Sequence, residues 1–518
     1  MSSSCKTDCL VRGESLKQLI HNGVIVPKYE AQGFHIRFKG QTLNLTPLQE
    51  EMAVGWSRKS GTDYVKDPIF VSNFLADFSK ALGLESNDPS DFDFGEIISF
   101  VETMKLKRSA MSKEEKKQLA QERKVLREKN REKFGYAIVD GQRIELGNYT
   151  VEPASIFMGR GKHPLRGRWK KAVGQNEITL NLSPDAQMPE GDWKERVWEP
   201  DCMWVARWDD PLRGREKYIW FSDSSFVKQK REIDKFNKAQ ELDSHLKTIR
   251  THILANLDSS DILTRKIATV WFLIDELKFR VGDEKDEDEA DTVGATTLRT
   301  EHIRFMNDEV IFRFLGKDSV EWNIKAKLPE KVVGNLKEFS NSNNTIFQGV
   351  NSTNAKAFLE EIAQGVTPKV FRTYHASYAV SNTLSKSSAK VGSPLYVKKY
   401  EATMANLEAA KTCNHKRTLP KTWETSLSRM EERLKSLEAK KDASANEKQK
   451  AKQRDRLREL RMRIELKKKT KDYNLNTSLK SYIDPRIYYQ WGKKVDFDWK
   501  NYYSTTLQKK FGWVENRE

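Results

Sequence analysis

Alternating apolar and polar residues predict β-hairpins in several parts of the chain. The string FHIRFKGQTLNL, which begins at Phe34, alternates around a Lys-Gly-Gln turn. The string YAIVDGQRIEL alternates around Asp140-Gly141, a dipeptide that a tight two-residue hairpin turn prefers. MWVARW and KYIWF predict further strands, and HIRFMNDEVIFRFLGKDSVEW predicts two hairpins, one at Asn307-Asp308 and one around Lys317.

Apolar residues spaced three and four apart predict helices between these strands. One such pattern runs up to Arg280, and Gly282 is a natural end for that helix. Residues 104–133 are highly charged and lack Gly and Pro, which predicts one long exposed helix, and Ser112 with Glu115 forms the sequence of a capping box for it. Strands and helices together predict an α+β fold.

Residues 421–472 predict an antiparallel helical hairpin. They lack Gly and Pro and carry 18 Lys or Arg against 10 Asp or Glu, so their net charge is 18 − 10 = +8. Residues 442–446 predict the turn. The apolar positions of the two arms are Trp423, Leu427, Met430, Leu434, Leu437, Leu457, Leu460 and Ile464. Such a basic hairpin serves either as a solvated spacer or as a direct contact for DNA.

The charge of the chain indicates a polyanionic partner. Its 518 residues include 91 Lys or Arg and 74 Asp or Glu, which gives a net charge of +17. Nucleic acid is the commonest partner for such a protein. No apolar run approaches the ~20 residues that span a membrane. With four cysteines and no apolar leader at the N-terminus, the chain is expected to be a soluble intracellular protein without membrane contact.

The sequence lacks the patterns of ATP-driven and metal-dependent chemistry. The phosphate-binding string G-x-x-x-x-G-K-[ST] is absent, and the cysteines have no zinc spacing. The acidic run Asp283–Asp291 lacks the spacing of a calcium loop. We therefore expect no cofactor, nucleotide or metal.

Five short strings carry residues that suit attack on a phosphodiester. They are FRVGDEK with Arg280, FLGKDS with Lys317, KVFRTYHAS with Arg372, CNHKR with His415 and SYIDPRI with Tyr482. A phenolate attacks phosphorus, guanidinium groups match the oxygens of the transition state, and a lysine gives the leaving oxygen a proton.

These strings resemble, in the same order, the signature of the eukaryotic-type IB DNA topoisomerases. The resemblance extends from about Pro27 to the C-terminus. It implies a compact member of the family that lacks the long charged N-terminal extension. It includes DPIF (Asp67–Phe70), MSKEEK (Met111–Lys116), GRGKHP (Gly159–Pro164) and DTVG (Asp291–Gly294).

The resemblance implies a role for each of the five residues. Tyr482 becomes the nucleophile that is linked to a DNA 3′-phosphate. Arg280, Arg372 and His415 stabilise the phosphorane, and Lys317 is the general acid. Relaxation of positive and negative supercoils then proceeds by strand rotation and religation without ATP.

The resemblance also implies contacts with double-stranded DNA, held by a monomer that closes around it as a clamp. The implied DNA-binding residues are Arg160, Lys162, His163, Arg166 and Asp318. Basic His163–Arg168 and acidic Asp283–Asp291 would be the two lips of the clamp. The implied location is the nucleus, with a viral or cytoplasmic replication site as the alternative.

The implied architecture is a two-lobed DNA clamp. It has a mixed α/β N-terminal lobe, a mainly helical catalytic lobe like that of tyrosine recombinases, a helical-hairpin linker and a small helical C-terminal domain. The expected boundaries are a tail at 1–15, the N-terminal core lobe at 16–214, the catalytic core lobe at 215–420, the linker at 421–472 and the C-terminal domain at 473–518.

Two other functions are compatible with these residues. A tyrosine site-specific recombinase shares the Arg-Lys-Arg-Tyr chemistry, although Lys369 stands where recombinases usually have a histidine. A catalytically silent DNA-binding clamp would use the basic hairpin alone. Within the topoisomerase interpretation, Tyr488 and Tyr489 are the alternative nucleophiles. Ser481 replaces the family's usual asparagine, at a position that affects sensitivity to camptothecin-type poisons.

Overall fold

The chain forms two compact units, with the main boundary between Arg231 and Glu232. The computed structural model describes residue 10 and residues 14–159, 163–282, 292–316, 320–342, 344–439 and 447–515. The predicted α+β class is confirmed, because helices and small sheets occur in both units. Within the described ranges, no helix is both long enough and apolar enough to cross a membrane.

The first unit contains small sheets and a group of helices. Its strands are β1 (Leu19–His21), β2 (His35–Phe38), β3 (Gln41–Asn44), β4 (Phe92–Asp93), β5 (Tyr136–Val139), β6 (Gln142–Glu145), β7 (Ser155–Ile156), β8 (Trp169–Lys170), β9 (Thr179–Asn181), β10 (Glu195–Val197), β11 (Trp204–Asp209) and β12 (Glu216–Trp220). Its helices are α1 (Pro47–Ser57), α2 (Pro68–Leu82), α3 (Gly95–Ala110) and α4 (Lys113–Phe134). The sheet orders are β1-β5-β6, β10-β9-β11-β12, β3-β2-β4 and β7-β8.

The hairpins predicted in this unit are confirmed. β2 pairs with β3 through a turn at Lys39 and Gly40, and β5 pairs with β6 through Asp140 and Gly141. All four turn residues have positive φ, as a type I′ turn requires. The charged segment 104–133 forms two helices rather than one, because the chain turns at Met111 and the capping box of Ser112 begins α4.

Two large apolar cores support the described part of the first unit. One lies among α1, α2 and α3, where Phe70, Phe74 and Phe78 are completely buried. The other lies against the sheets of β5 and β11, around Val139 and Val205.

The second unit is mainly helical. Its helices are α5 (Phe226–Asn256, which begins before the boundary), α6 (Ile262–Leu277), α7 (Glu330–Ser342), α8 (Ser352–Glu360), α9 (Pro368–Ser385), α10 (Leu395–Thr412), α11 (Trp423–Ala439), α12 (Glu447–Lys469), α13 (Leu475–Ser481), α14 (Pro485–Val495) and α15 (Thr505–Lys510). Its sheet has the order β13-β14-β15, from strands β13 (Ile303–Met306), β14 (Glu309–Gly316) and β15 (Val320–Ala326).

The end of α6 corrects a prediction. The sequence pattern predicted that Arg280 lies in the last turn of this helix, but α6 ends at Leu277 and Lys278 adopts left-handed backbone geometry. Beyond it, Arg280 O accepts from Ala295 N–H at 2.8 Å and Val281 O accepts from Thr296 N–H at 2.8 Å. Arg280 therefore lies on a separate segment that is pinned by backbone hydrogen bonds.

Two glycines allow this close packing. A Cβ on Gly282 would lie 2.8 Å from the Cα of Gly294, and a Cβ on Gly294 would lie 2.5 Å from the Cα of Gly282. Gly282 also has a φ of +85°, which disfavours other residues. The glycines of the strings FRVGDEK and DTVG thus hold the backbone beside Arg280.

Helices α11 and α12 lie side by side in antiparallel order. Arg461 contacts Glu438 at 2.7 Å and Lys468 contacts Glu431 at 2.7 Å. Helix α12 also packs against α10, where Tyr400 donates to Glu465 at 2.8 Å. The predicted turn at 442–446 lies outside the described residues.

The chain segments just before α11 and just after α12 are hydrogen-bonded to each other. Arg417 N–H donates to Asp472 O at 2.9 Å, and Lys416 and Tyr473 form an antiparallel bridge. The chain therefore leaves α10 and returns to α13 at adjacent positions.

A buried carboxylate connects three helices of the second unit. Asp275 on α6 accepts hydrogen bonds from Arg250 on α5 at 2.7 Å and pairs with His375 on α9 at 2.8 Å. Burial alone would raise the pKa of Asp275, but the hydrogen bonds from His375 and Arg250 outweigh it, so its pKa is well below the usual range. The charge of Asp275 therefore stabilises the packing of α6, which precedes Arg280, against α9, which carries Arg372.

Replacing Asp275 by Asn should loosen this packing. Removing one partner from a buried ionic network costs on the order of 3 kcal/mol. We expect amide hydrogen exchange in α6 and α9 of the Asp275→Asn chain to accelerate by at least tenfold. The control is Asp258→Asn, because Asp258 forms an exposed pair with Lys331 and exposed pairs contribute little. Equal exchange rates in the two variants would contradict the role of Asp275.

Candidate active site

Tyr482 is the centre of a buried cluster in the second unit. It lies immediately after α13 and only 7% of its surface is exposed. Arg280 Nη1 donates to its hydroxyl at 3.2 Å. The guanidinium carbon of Arg372 lies 5.1 Å from the centre of its ring, and the His415 ring lies 4.9 Å away. Four of the five predicted catalytic residues are thus brought together from distant parts of the chain.

Arg372 projects from α9 into this cluster and is 2% exposed. Its Nη2 donates to the carbonyl of Cys413 at 2.8 Å. Its Nε and Nη1 are buried without a hydrogen-bond partner among the described residues. Buried donors without partners are costly, so this guanidinium is suited to an anion that would accept from it.

A turn after α10 positions His415. Asn414 adopts a φ of +49°, and His415 N–H donates to Ala410 O at 2.8 Å, which closes the helix. The string CNHKR thus forms a helix end. The carbonyl of Cys413 accepts from Arg372, and the turn at Asn414 directs the imidazole of His415 into the cluster. The Nε2 of His415 lies 3.5 Å from Nη2 of Arg372, and its Nδ1 lies 2.7 Å from Ser478 Oγ.

The electrostatics of the cluster keep the imidazole neutral. Burial, followed by the charges of Arg372 and Arg280, lowers the pKa of His415 to about 3. Burial and the charge of Arg372 also lower the pKa of Arg280, although a guanidinium remains cationic at neutral pH. The pocket therefore offers two cations and a neutral imidazole beside one phenol.

The segment that carries Tyr482 is anchored on both sides. Before the tyrosine, Lys235 donates to Ser481 O at 3.2 Å and Lys510 donates to Lys480 O at 3.1 Å, and both lysines pair with Glu232.

After the tyrosine, Ser377 on α9 connects its backbone to the core. Ser377 Oγ donates to Tyr482 O at 3.2 Å and accepts from Asp484 N–H at 3.0 Å. Asp484 begins α14 as its N-cap and pairs with Arg486, which also donates to Asn237 on α5 at 2.9 Å. The strings KVFRTYHAS and SYIDPRI contain Ser377, Asp484 and Arg486, but sequence analysis did not assign them this role.

Tyr488, one of the alternative nucleophiles, is completely buried and donates to Ala402 O at 3.0 Å. Tyr489 lies on the next position of α14, where Lys493 packs over its ring. Neither contact involves the basic cluster.

Several predicted site residues lie outside the described residues. They are Arg160, Lys162, Lys317, Asp318 and the acidic run 283–291. Their positions remain predictions.

In the first unit, His163 and Arg166 are described and form part of the packing. His163 is 6% exposed, its Nδ1 accepts from Leu165 N–H, and its ring packs edge-on against Phe157. Arg166, two residues after the string GRGKHP, pairs with Asp67 of the string DPIF at 3.0 Å. A DNA contact by His163 would thus use only a small exposed edge.

The fold and the cluster define an α+β protein with a buried tyrosine beside two arginines and a histidine. Three family profiles match the chain in succession. "Eukaryotic DNA topoisomerase I, DNA binding fragment" matches residues 15–221, "Eukaryotic DNA topoisomerase I, catalytic core" matches 224–449, and "C-terminal topoisomerase domain" matches 454–518.

Whole-chain relatives agree with the profiles. The chain is 33% identical to DNA topoisomerase 1 beta of Arabidopsis thaliana, over 96% of this chain and 58% of that protein. It is 31% identical to DNA topoisomerase 1 of Homo sapiens, over 97% and 71% respectively. It is 30% identical to the mitochondrial DNA topoisomerase I of Pan troglodytes, over 97% and 90%. The chain belongs to the eukaryotic DNA topoisomerase I family, and it spans about three fifths of the length of its plant relatives.

The neutral state of His415 can be tested directly. With a pKa of about 3, its ring should stay unprotonated down to pH 4.5 in the DNA-free chain. Because this value lies below the ordinary 6.5, protonation opposes folding, and stability is lost as pH falls from about 6.5 towards 3. Histidine NMR of the full chain, with His415→Gln to assign the signal, measures the titration. A midpoint near 6.5 would contradict the buried, cation-flanked environment.

Proposed function

We propose that the chain is a type IB DNA topoisomerase, which relaxes positive and negative supercoils by transient cleavage of one strand. The observation that carries the proposal is the buried phenol of Tyr482 beside Arg280, Arg372 and His415. Nε and Nη1 of Arg372 have no hydrogen-bond partner in the part of the chain that the structure describes. Such an array suits a phosphodiester, because guanidinium and imidazole donors stabilise the charge that develops on its free oxygens.

The proposed cleavage step is a transesterification. The hydroxyl of Tyr482 gives its proton to a water molecule and its oxygen attacks the phosphorus, so that a 3′-phosphotyrosine bond forms and the bond from phosphorus to the 5′-oxygen breaks. Lys317 gives its proton to the departing 5′-oxygen, which leaves as a hydroxyl. One phosphoester bond replaces another, so the reverse reaction reseals the strand without ATP.

The other residues of the pocket have separate proposed roles in stabilising charge. Arg280 contacts the Tyr482 hydroxyl and stabilises the phenolate by its charge. Arg372 and neutral His415 donate to the non-bridging oxygens, where charge increases in the pentacoordinate transition state. Their burial in the pocket strengthens these interactions relative to those in water.

The proposed substrate is double-stranded DNA, bound by a monomer. The net charge of +17 supports phosphate contacts, which hold DNA without reading its sequence. Basic helices α11 and α12 are proposed to act as a linker beside the DNA. The proposed location is the nucleus. Among the relatives, the chimpanzee protein is named as mitochondrial.

Tyr482→Phe should bind supercoiled plasmid as wild type does but form no covalent adduct, because the attacking oxygen is missing. The assay is relaxation of plasmids supercoiled in either sense, in EDTA and without ATP, with adducts trapped by denaturant. Tyr489→Phe is the matched control and should keep its activity. An adduct in Tyr482→Phe would refute the nucleophile. Tight binding without relaxation by wild type would favour a silent clamp, and recombined products would favour a recombinase.

Lys317→Ala should slow cleavage by at least about a hundredfold while DNA binding is retained, because the leaving oxygen lacks its proton donor. A substrate with sulfur in place of that oxygen should restore the rate, since a thiolate leaves without a proton. Lys325→Ala is the control for lost charge, because it removes a lysine of strand β15 that has no proposed role in the reaction. Equal slowing of both substrates would exclude the general-acid role.

Deletion of residues 425–468 should change processivity or salt tolerance but leave cleavage intact. The paired base at Lys416–Arg417 and Asp472–Tyr473 supports this expectation, because it holds the chain on either side of the deletion. Single-turnover cleavage and plasmid relaxation at increasing salt concentration measure the two effects. Complete loss of cleavage would instead mean that the hairpin positions Tyr482.

A further inference from the structure

Ser478 contacts the imidazole of His415 from inside the protein. Its Oγ lies 2.7 Å from His415 Nδ1, and the two residues are 0% and 4% exposed. Among the described residues, this imidazole nitrogen is the hydroxyl's hydrogen-bond partner, and no second partner occurs. The contact is therefore short and buried.

The direction of this hydrogen bond follows from the need to satisfy the buried hydroxyl. A serine hydroxyl has one proton to donate, and a buried donor without an acceptor costs roughly 1–3 kcal/mol. Nδ1 is the acceptor within reach of Ser478 Oγ. If Nδ1 accepts, the single ring proton of neutral His415 must reside on Nε2.

The contact of Nε2 with Arg372 is longer than the contact of Nδ1 with Ser478 and constrains the ring less. A guanidinium nitrogen can only donate, and Arg372 Nη2 lies 3.5 Å from Nε2, at the outer limit for a hydrogen bond, whereas Ser478 Oγ lies 2.7 Å from Nδ1. Nε2–H would then join Arg372 in presenting donors to the same space, in which an oxygen of an anion could accept from both.

We propose that Ser478 is a positioning residue that holds His415 in the Nε2–H tautomer, so that the imidazole donates to the scissile phosphate. The inference rests on the proposed function and assigns to it a residue that does not touch the DNA. Without the serine hydroxyl, the ring proton is free to reside on Nδ1, and Nε2 would then present a lone pair to a phosphate oxygen.

Ser478 also contacts the backbone of Tyr482, the proposed nucleophile. Ser478 lies one helical turn before Tyr482, and its carbonyl accepts the Tyr482 N–H at 2.9 Å. Asn474 N–H, at the start of the same helix, donates to His415 O at 2.6 Å. The packing of α13 against His415 therefore places both Tyr482 and the hydroxyl that contacts the imidazole.

The first experiment measures the tautomer in the full, DNA-free chain. Selective labelling of histidine with ¹⁵N and NMR at pH 7 distinguishes protonated from unprotonated ring nitrogens, with His415→Gln to assign the signals. Wild type should carry the proton on Nε2. Ser478→Ala should give a mixture of tautomers or the Nδ1–H form, whereas Thr477→Ala, the neighbour on the same helix, should match wild type. A wild-type proton on Nδ1, or an unchanged tautomer in Ser478→Ala, would overturn the proposal.

The second experiment measures single-turnover cleavage. Ser478→Ala should cleave roughly ten- to a hundredfold more slowly, with DNA binding unchanged and the Tyr482 adduct still formed. In a His415→Gln background, the same change should have little further effect, because the group that it orients is gone. An equal loss in both backgrounds would indicate general damage to folding and would overturn the proposal. If wild type itself forms no adduct, the proposed function fails, independently of the tautomer result.

Discussion

Two guanidinium groups repel each other in a buried pocket, and the second unit is arranged to hold them there. The charge of Arg372 lowers the pKa of Arg280, after the larger effect of burial. Among the described residues, no carboxylate forms an ion pair with either group. A backbone carbonyl at Cys413 and the side chain of Tyr482 provide partial compensation. The pocket therefore remains positive and is stabilised when an anion enters it.

Contacts outside the pocket hold the elements that carry the two arginines in place against this repulsion. The buried charge of Asp275 joins α6 and α9, which lead to the two arginines. The backbone near Arg280 is held by packing between Gly282 and Gly294. Since each positive group is placed by contacts outside the pocket, the pocket itself can leave donors free for a substrate. That arrangement is preorganisation, in which the free energy of assembling like charges is supplied by folding.

Residues in and next to the matched strings support the fold of this chain. In the first unit, Arg166 pairs with Asp67, and Gly167 has no room for a Cβ because Phe70 O would lie 2.1 Å from it. In the second unit, the Asp484–Arg486 pair begins α14 and fastens it to α5 through Asn237. A matched motif residue is therefore not by itself evidence of a contact with substrate.

The sequence by itself determined the local elements and singled out the four side chains that the structure brings together around Tyr482. Alternation and turn chemistry act over a few residues, so the hairpin at Asp140-Gly141 and the helix start at Ser112 were predictable. Only the tertiary structure decided where α6 ends, because the backbone beyond Leu277 is held by hydrogen bonds to residues near Thr296. It also decided that Ser377 and Ser478 support Tyr482 and His415, since these contacts join segments that are 63 to 105 residues apart. Local patterns carry no information about such pairs, which form only when separate helices pack together.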